Sequence, residues 1–217
     1  MAAYVLRLLH DRLAADAATL NLRACDRLFY AVNGALMVDD GVVAPDEALY
    51  RPATCRVTAG PAGAEYLRWE LLKAPVSDDG VVEAEGVESA LKLSVDIKLD
   101  ASQDYMLRCD RVDFPPGGVA FKHTHPGPGI RCQMQGRITI DTKGKRTEYG
   151  PGEAWFEIGP APVLATTWDK GDSHFVRAMV LPREWRGKRT IRYLDARDAD
   201  KPKTQRATVL SEELIDL

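Results

Sequence analysis

The two halves of the chain carry the same landmarks in the same order, and this internal likeness restricts the fold more than any other feature of the sequence. Tyr4-Val5-Leu6-Arg7 recurs as Tyr105-Met106-Leu107-Arg108, and Asn33-Gly34 followed by Asp39 recurs as Gln135-Gly136 followed by Asp141. After a small length change in a turn, Pro45-Asp46-Glu47-Ala48 lines up with Pro151-Gly152-Glu153-Ala154, and Glu65-Tyr66-Leu67-Arg68 lines up with His174-Phe175-Val176-Arg177. Each match is trivial alone, but their shared order at a spacing of about 100 residues marks a domain-sized repeat and not a solenoid. Between the landmarks, Leu91 to Leu99 and Arg137 to Asp141 alternate apolar and polar residues, as half-buried strands do. Gly60-Pro61-Ala62-Gly63, Pro115-Pro116-Gly117-Gly118 and Gly150-Pro151-Gly152 supply the turns. Short strands with evenly spaced turns predict an all-β, antiparallel sandwich or barrel, built twice.

One segment allows a second reading. From Val5 to Leu20, the residues Leu6, Leu9, Leu13 and Ala17 also fit a helical stripe. The repeat favours a strand over at least Tyr4 to Leu8. At the other end, Asp198 to Gln205 is polar and reads as an extended or mobile connection before Val209 to Leu217.

A chain of 217 residues is long enough to bury one large β core or two smaller ones. Its net charge of -3 gives it no bulk attraction to nucleic acid, so a polyanionic partner is not expected. Charge interrupts Met1 to Arg12 too early for a signal-peptide core, and no apolar run reaches about 18 residues. The expectation is a cytoplasmic protein with no membrane partner. Cys25, Cys55, Cys109 and Cys132 form no C-x-x-C pair and read as buried free thiols.

The chemistry is concentrated at His123 and His125, which in an extended strand point to one face and offer two ligands to one metal ion. Gly117 stands six positions before the first histidine and Gly136 eleven after the second. This spacing resembles the first motif of the cupin family, G-x5-H-x-H-x3,4-E-x6-G. Gly129 occupies the place of the motif's glutamate, and Val163 lies nearest the histidine position of the family's second motif, whose glycine matches Gly152.

The resemblance implies a double-stranded β-helix, or jelly roll, with two cupin-like lobes. Residues 1–100 would form a degenerate amino-terminal lobe, 101–197 the lobe with the His-x-His motif, and 198–217 a carboxy-terminal extension. It also implies a divalent metal on His123 and His125, with Fe(II) favoured and Zn, Ni or Mn as alternatives. A third ligand is required, and Glu157, on the strand after the Pro151-Gly152 turn, is the leading replacement; His174 and Gln133 are further candidates. Alternation groups Gly129, Arg131, Gln133 and Gln135 on one face, so Arg131, Gln133 and Arg177 are expected to bind a substrate anion. The plainer alternatives are a solvent-facing histidine pair, a surface ion pair for Glu157, exposed arginines, and capping or solvent-facing roles for His10 and His174.

In the first half, the counterpart of the histidine pair falls in Thr19 to Ala24, which holds no histidine or carboxylate. That lobe is expected to be a structural partner, and the family likeness implies a homodimer. The expected function is a small-molecule metalloenzyme of dioxygenase type acting on an anionic metabolite. The alternatives are a non-catalytic ligand-binding module and a metal-independent isomerase using His123 or His125 as base.

Overall fold

The computed structural model describes residues 1–217. Its first strand, β1 (Ala2–Leu13), settles the ambiguity at the amino terminus. Tyr4 to Leu13 pair with Lys73 to Ala64 on one side, and Ala2 to Leu13 pair with Leu99 to Val87 on the other. As a central strand it is also buried on both faces from Tyr4 to Leu9, so its apolar residues need no helical stripe. The charges that interrupt it, Arg7 and Asp11, are buried too. Arg7 joins Glu70, and Asp11 accepts from Arg68.

The chain divides into two units, Met1–Ser102 together with Leu217, and Gln103–Asp216. The first contains β1, β2 (Asp26–Asn33), β3 (Leu36–Val38), β4 (Gly41–Val43), β5 (Ala48–Tyr50), β6 (Val57–Ala59), β7 (Ala64–Lys73) and β8 (Val87–Leu99). One sheet runs in the order β5-β2-β7-β1-β8 and the other β4-β3-β6. Leu13, Phe29 and Tyr66 of the larger sheet pack against Leu36, Val38 and Val57 of the smaller.

The second unit contains β9 (Tyr105–Phe114), β10 (Val119–Thr124), β11 (Gly129–Gln135), β12 (Ile138–Thr142), β13 (Lys145–Tyr149), β14 (Ala154–Glu157), β15 (Val163–Thr167), β16 (Ser173–Pro182), β17 (Arg192–Tyr193) and β18 (Arg206–Ile215). A short helix, α1 (Ala196–Asp200), precedes β18. The sheets run β14-β11-β16-β9-β18 and β13-β12-β15-β10-β17. The first order repeats β5-β2-β7-β1-β8 strand for strand, and the sequence landmarks fall at corresponding strand ends. The fold is therefore all-β, with two cupin-like jelly-roll lobes.

The second sheets differ. β3, β4 and β6 correspond to β12, β13 and β15, but the first unit has no counterpart of β10 and β17. Only the isolated bridges Ala18 to Thr58 and Leu22 to Cys55 stand beside β6 where β10 would lie. The carboxy-terminal segment also differs from its expected form. Residues 196–200 are helical, and Arg206–Ile215 is an edge strand paired along β9, from Asp113 to Tyr105. All four cysteines are free, with Cys25 half-buried and the other three buried. No helix is long and apolar enough to cross a membrane.

Candidate metal and ligand site

Antiparallel register builds the site in rows. Residues opposite one another share a face, so Trp155, Arg131, Arg177 and Asp110 form one row across β14, β11, β16 and β9. The adjacent row on that face is Glu157, Gly129, Met179 and Arg108. Glu157 is thus the direct cross-strand partner of Gly129. A Cβ on Gly129 would approach the Ala178 carbonyl oxygen to 2.5 Å and Met179 Cγ to 2.7 Å. The glycine leaves room for the Arg131 guanidinium, whose Nη1 donates to the Gly129 carbonyl at 2.6 Å.

The histidines come from the facing sheet. β10 pairs with β15 through Ala120, bulges, and resumes with His123 opposite Val163, while His123 also pairs with Tyr193 of β17. His125 lies just past β10, fixed by its backbone N–H to the Gly159 carbonyl at 2.8 Å. Gly127 then passes so close to β16 that a Cβ there would meet the Val180 carbonyl oxygen at 2.1 Å. This close approach holds the loop after His125 in place.

Both imidazoles are buried, with 4% and 6% of their surface exposed, so the solvent-facing alternative does not apply. His123 Nδ1 lies 2.6 Å from the Phe121 carbonyl and His125 Nδ1 2.9 Å from the Thr190 carbonyl. A carbonyl only accepts, so each Nδ1 carries the proton and each Nε2 presents a lone pair. The two Nε2 atoms face each other at 3.2 Å. Burial lowers the pKa of His123, and it lowers that of His125 well below the usual value, helped by Arg177, Arg131 and His123. Both rings are therefore neutral at neutral pH.

Glu157 is 7% exposed and is no surface group. Its Oε1 accepts from Trp155 Nε1 at 2.8 Å. Its Oε2 stands 3.6 Å from His125 Nε2 and 2.9 Å from Arg131 Nη2, yet has no partner in hydrogen-bond geometry. Arg131, fully buried, has its pKa brought down to about 10 by burial, against the pull of Glu157. Arg177 holds Asp110 through Nε and Nη2 at 3.0 and 2.9 Å and also reaches Thr190 Oγ1. Arg108 joins Asp110 and Glu212.

These groups line one end of a cavity of about 520 Å³. His123, His125, Glu157, Arg131 and Arg177 all reach it, together with Arg108, which sequence reasoning missed although it belongs to the repeated Tyr105-Met106-Leu107-Arg108. Gln133 and His174 are absent from the lining. Gln133 is buried and turns its amide Nε2 to the Gln135 carbonyl, while His174, three residues before Arg177, falls on the opposite face of β16 by alternation. His10 pairs with Glu65 in the first unit.

Two imidazole lone pairs, with a carboxylate oxygen beside one of them, are the kind of donors a divalent cation takes. Metal–ligand bonds near 2.1 Å set neighbouring donors about 3.0–3.4 Å apart, against 3.2 Å between the imidazoles and 3.6 Å from His125 to Glu157. As the side chains stand, no three of His, Cys, Asp or Glu are grouped closely enough to hold a metal ion, and Glu157 is ion-paired with Arg131.

No protein-family model matches the sequence, and no curated protein matches it either. Among solved structures, an oxalate decarboxylase containing an element that modulates proton-coupled electron transfer superposes with a TM-score of 0.63 at 12% identity, over 90% of this chain and 73% of that one. Bacillus subtilis oxalate decarboxylase, with Mn(II) centres, gives 0.60 at 12% identity over 90% and 73%. AerE from Microcystis aeruginosa gives 0.58 at 9% identity over 82% and 88%. At such identities the likeness is one of fold, the cupin-type jelly roll.

Proposed function

We propose that the second unit is a metal-dependent enzyme for a small organic anion, with the metal held by His123, His125 and Glu157 and the anion by Arg131 and Arg177. The observation that carries this reading is the meeting of the His123 and His125 Nε2 lone pairs, with Glu157 Oε2 beside His125 and in no aligned hydrogen bond, inside one cavity. Neutral lone pairs at 3.2 Å repel each other, and the ion pair with Arg131 leaves Glu157 Oε2 without an aligned hydrogen bond. A cation relieves both. Two histidines and one carboxylate with open positions are the donor set of non-haem Fe(II) oxygenases, which favours dioxygenase-type chemistry, while Mn(II), present in the Bacillus subtilis oxalate decarboxylase, is the second choice.

When bound, the ion supplies Lewis-acid charge and a place for O2 beside the substrate. The protein's own residues perform the rest. The Phe121 and Thr190 carbonyls fix the imidazole tautomers, Trp155 orients Glu157, and Asp110 orients Arg177. Arg131 and Arg177, opposite each other on β11 and β16, place two guanidinium groups where a carboxylate can be gripped.

The test is metal analysis of protein purified without a histidine tag. Near-stoichiometric divalent metal is expected in the wild type, and His123→Ala and His125→Ala should each lose it while keeping the β-sheet circular dichroism. Equal metal content in all three proteins would overturn the assignment. A wild type that binds metal but turns over no organic acid with O2 would instead place the unit among ligand-binding modules.

A further inference from the structure

The cavity has two unlike ends. One holds the histidines, Glu157 and the arginines; the other is walled by Val112, Phe114, Ile140, Trp155, Val163 and Phe175. These six belong to the cluster that joins the two sheets, so the unit's hydrophobic core is hollow. The wall offers a ligand no polar atom, because Trp155 Nε1 is already committed to Glu157. Its aromatic surface is also braced, with Tyr149 stacked on Trp155 at 4.9 Å and Phe175 set edge-on to Trp155 at 5.2 Å.

Charge at the other end is balanced. Arg108, Arg131 and Arg177 face Asp110, Glu157 and Glu212. A divalent ion added to this set leaves an excess of positive charge that a ligand anion neutralises. The exposed Lys188, Arg189 and Arg206 also line the cavity and add to the attraction.

We infer that the substrate is a monocarboxylic acid with an apolar body, aromatic or branched aliphatic, whose head lies at the histidines and arginines and whose body fills the hollow core. The positioning of the head rests on the metal-enzyme reading above. At about 30 Å³ for each water-sized group, a cavity of 520 Å³ has space for roughly ten to fifteen non-hydrogen atoms beyond what a bound ion and its water need. A diacid as small as oxalate leaves the apolar end unfilled. A sugar or nucleotide buries several hydroxyl groups there, more than the single unpartnered acceptor of Gln205 Oε1 can satisfy.

The experiment uses the full chain with its metal content measured in every sample. Calorimetric titrations compare 4-phenylbutyrate and octanoate with oxalate and with neutral 4-phenyl-1-butanol. At least one apolar acid is expected to bind about tenfold or more tighter than both oxalate and the alcohol. Ala165→Phe, which places a ring in the apolar end, should lower that affinity by about tenfold or more without changing metal content; Ala120→Leu serves as a milder obstruction should the first variant fold poorly. Oxalate binding as tightly as both apolar acids, or obstruction without effect in a folded variant, would overturn the inference. Metal-free protein that still prefers the apolar acids upholds it while sinking the metal assignment. Metal-loaded protein with no such preference does the reverse.

Discussion

Gly129 stands where the motif this chain resembles has a glutamate, and Glu157 stands directly across from it on β14. Gly129 gives its space to Arg131, and its cross-strand partner supplies a carboxylate to the same row. Glu157→Gln keeps the volume and the Trp155 hydrogen bond but removes the charge. We expect it to weaken metal binding by about 10–100-fold, as loss of a ligating or supporting carboxylate does. The melting temperature of the metal-free protein should move by no more than a few degrees. Metal titration followed by thermal melting checks both, and unchanged affinity would return Glu157 to a purely structural pairing with Arg131. The histidine pair was legible because its spacing lies within one short stretch of chain. Glu157 was legible only as a candidate, since sequence spacing counts along a strand whereas this donor set runs across strands. Arg108 escaped notice because an arginine in a repeated landmark reads as part of the fold.

At the scale of the element, the repeat was readable because both larger sheets place Tyr, Asn or Gln with Gly, and Pro at matching strand ends. The carboxy-terminal strand was not. β18 is an edge strand with one exposed face and a bulge between Val209 and Ser211, so its alternation is broken where periodicity would have shown it. Its counterpart β8 also bulges, between Leu91 and Leu93, but is longer and keeps its alternation from Leu93 to Leu99. β8 forms the edge of its sheet with Leu91 exposed and Leu93 and Val95 half-buried on one side. A long edge of this kind is a template for another strand, and closed two-fold pairing is the common natural solution. The expected assembly is a homodimer, with Leu93→Lys shifting it toward monomer. Light scattering across a dilution series checks this, and a wild-type monomer mass at all concentrations would exclude it.

At the scale of the whole molecule, the units spend their buried charge differently. In the first, Arg7, Arg27 and Arg68 converge on the single carboxylate of Glu70. Burial alone would raise the pKa of Glu70, but Arg68, Arg27 and Arg7 hold it down to about 2, from 4.5. Because the folded value lies below the unfolded one, this stabilisation is complete above pH about 4.5 and is lost as pH falls toward 2. At about 1.4 kcal/mol per unit, the loss amounts to a few kcal/mol. Acid titration by circular dichroism should therefore show the wild type losing stability across that window. Glu70→Gln, already destabilised because Arg27 loses its carboxylate, should have a shallower dependence there, and parallel acid profiles would remove Glu70 as the cause.

In the second unit the feature with the widest consequence is the empty space between its sheets. A core that lacks part of its filling has dispersion contacts still to make, and whatever completes it also tightens the fold. Occupancy is thereby written into the heat resistance of this half of the chain.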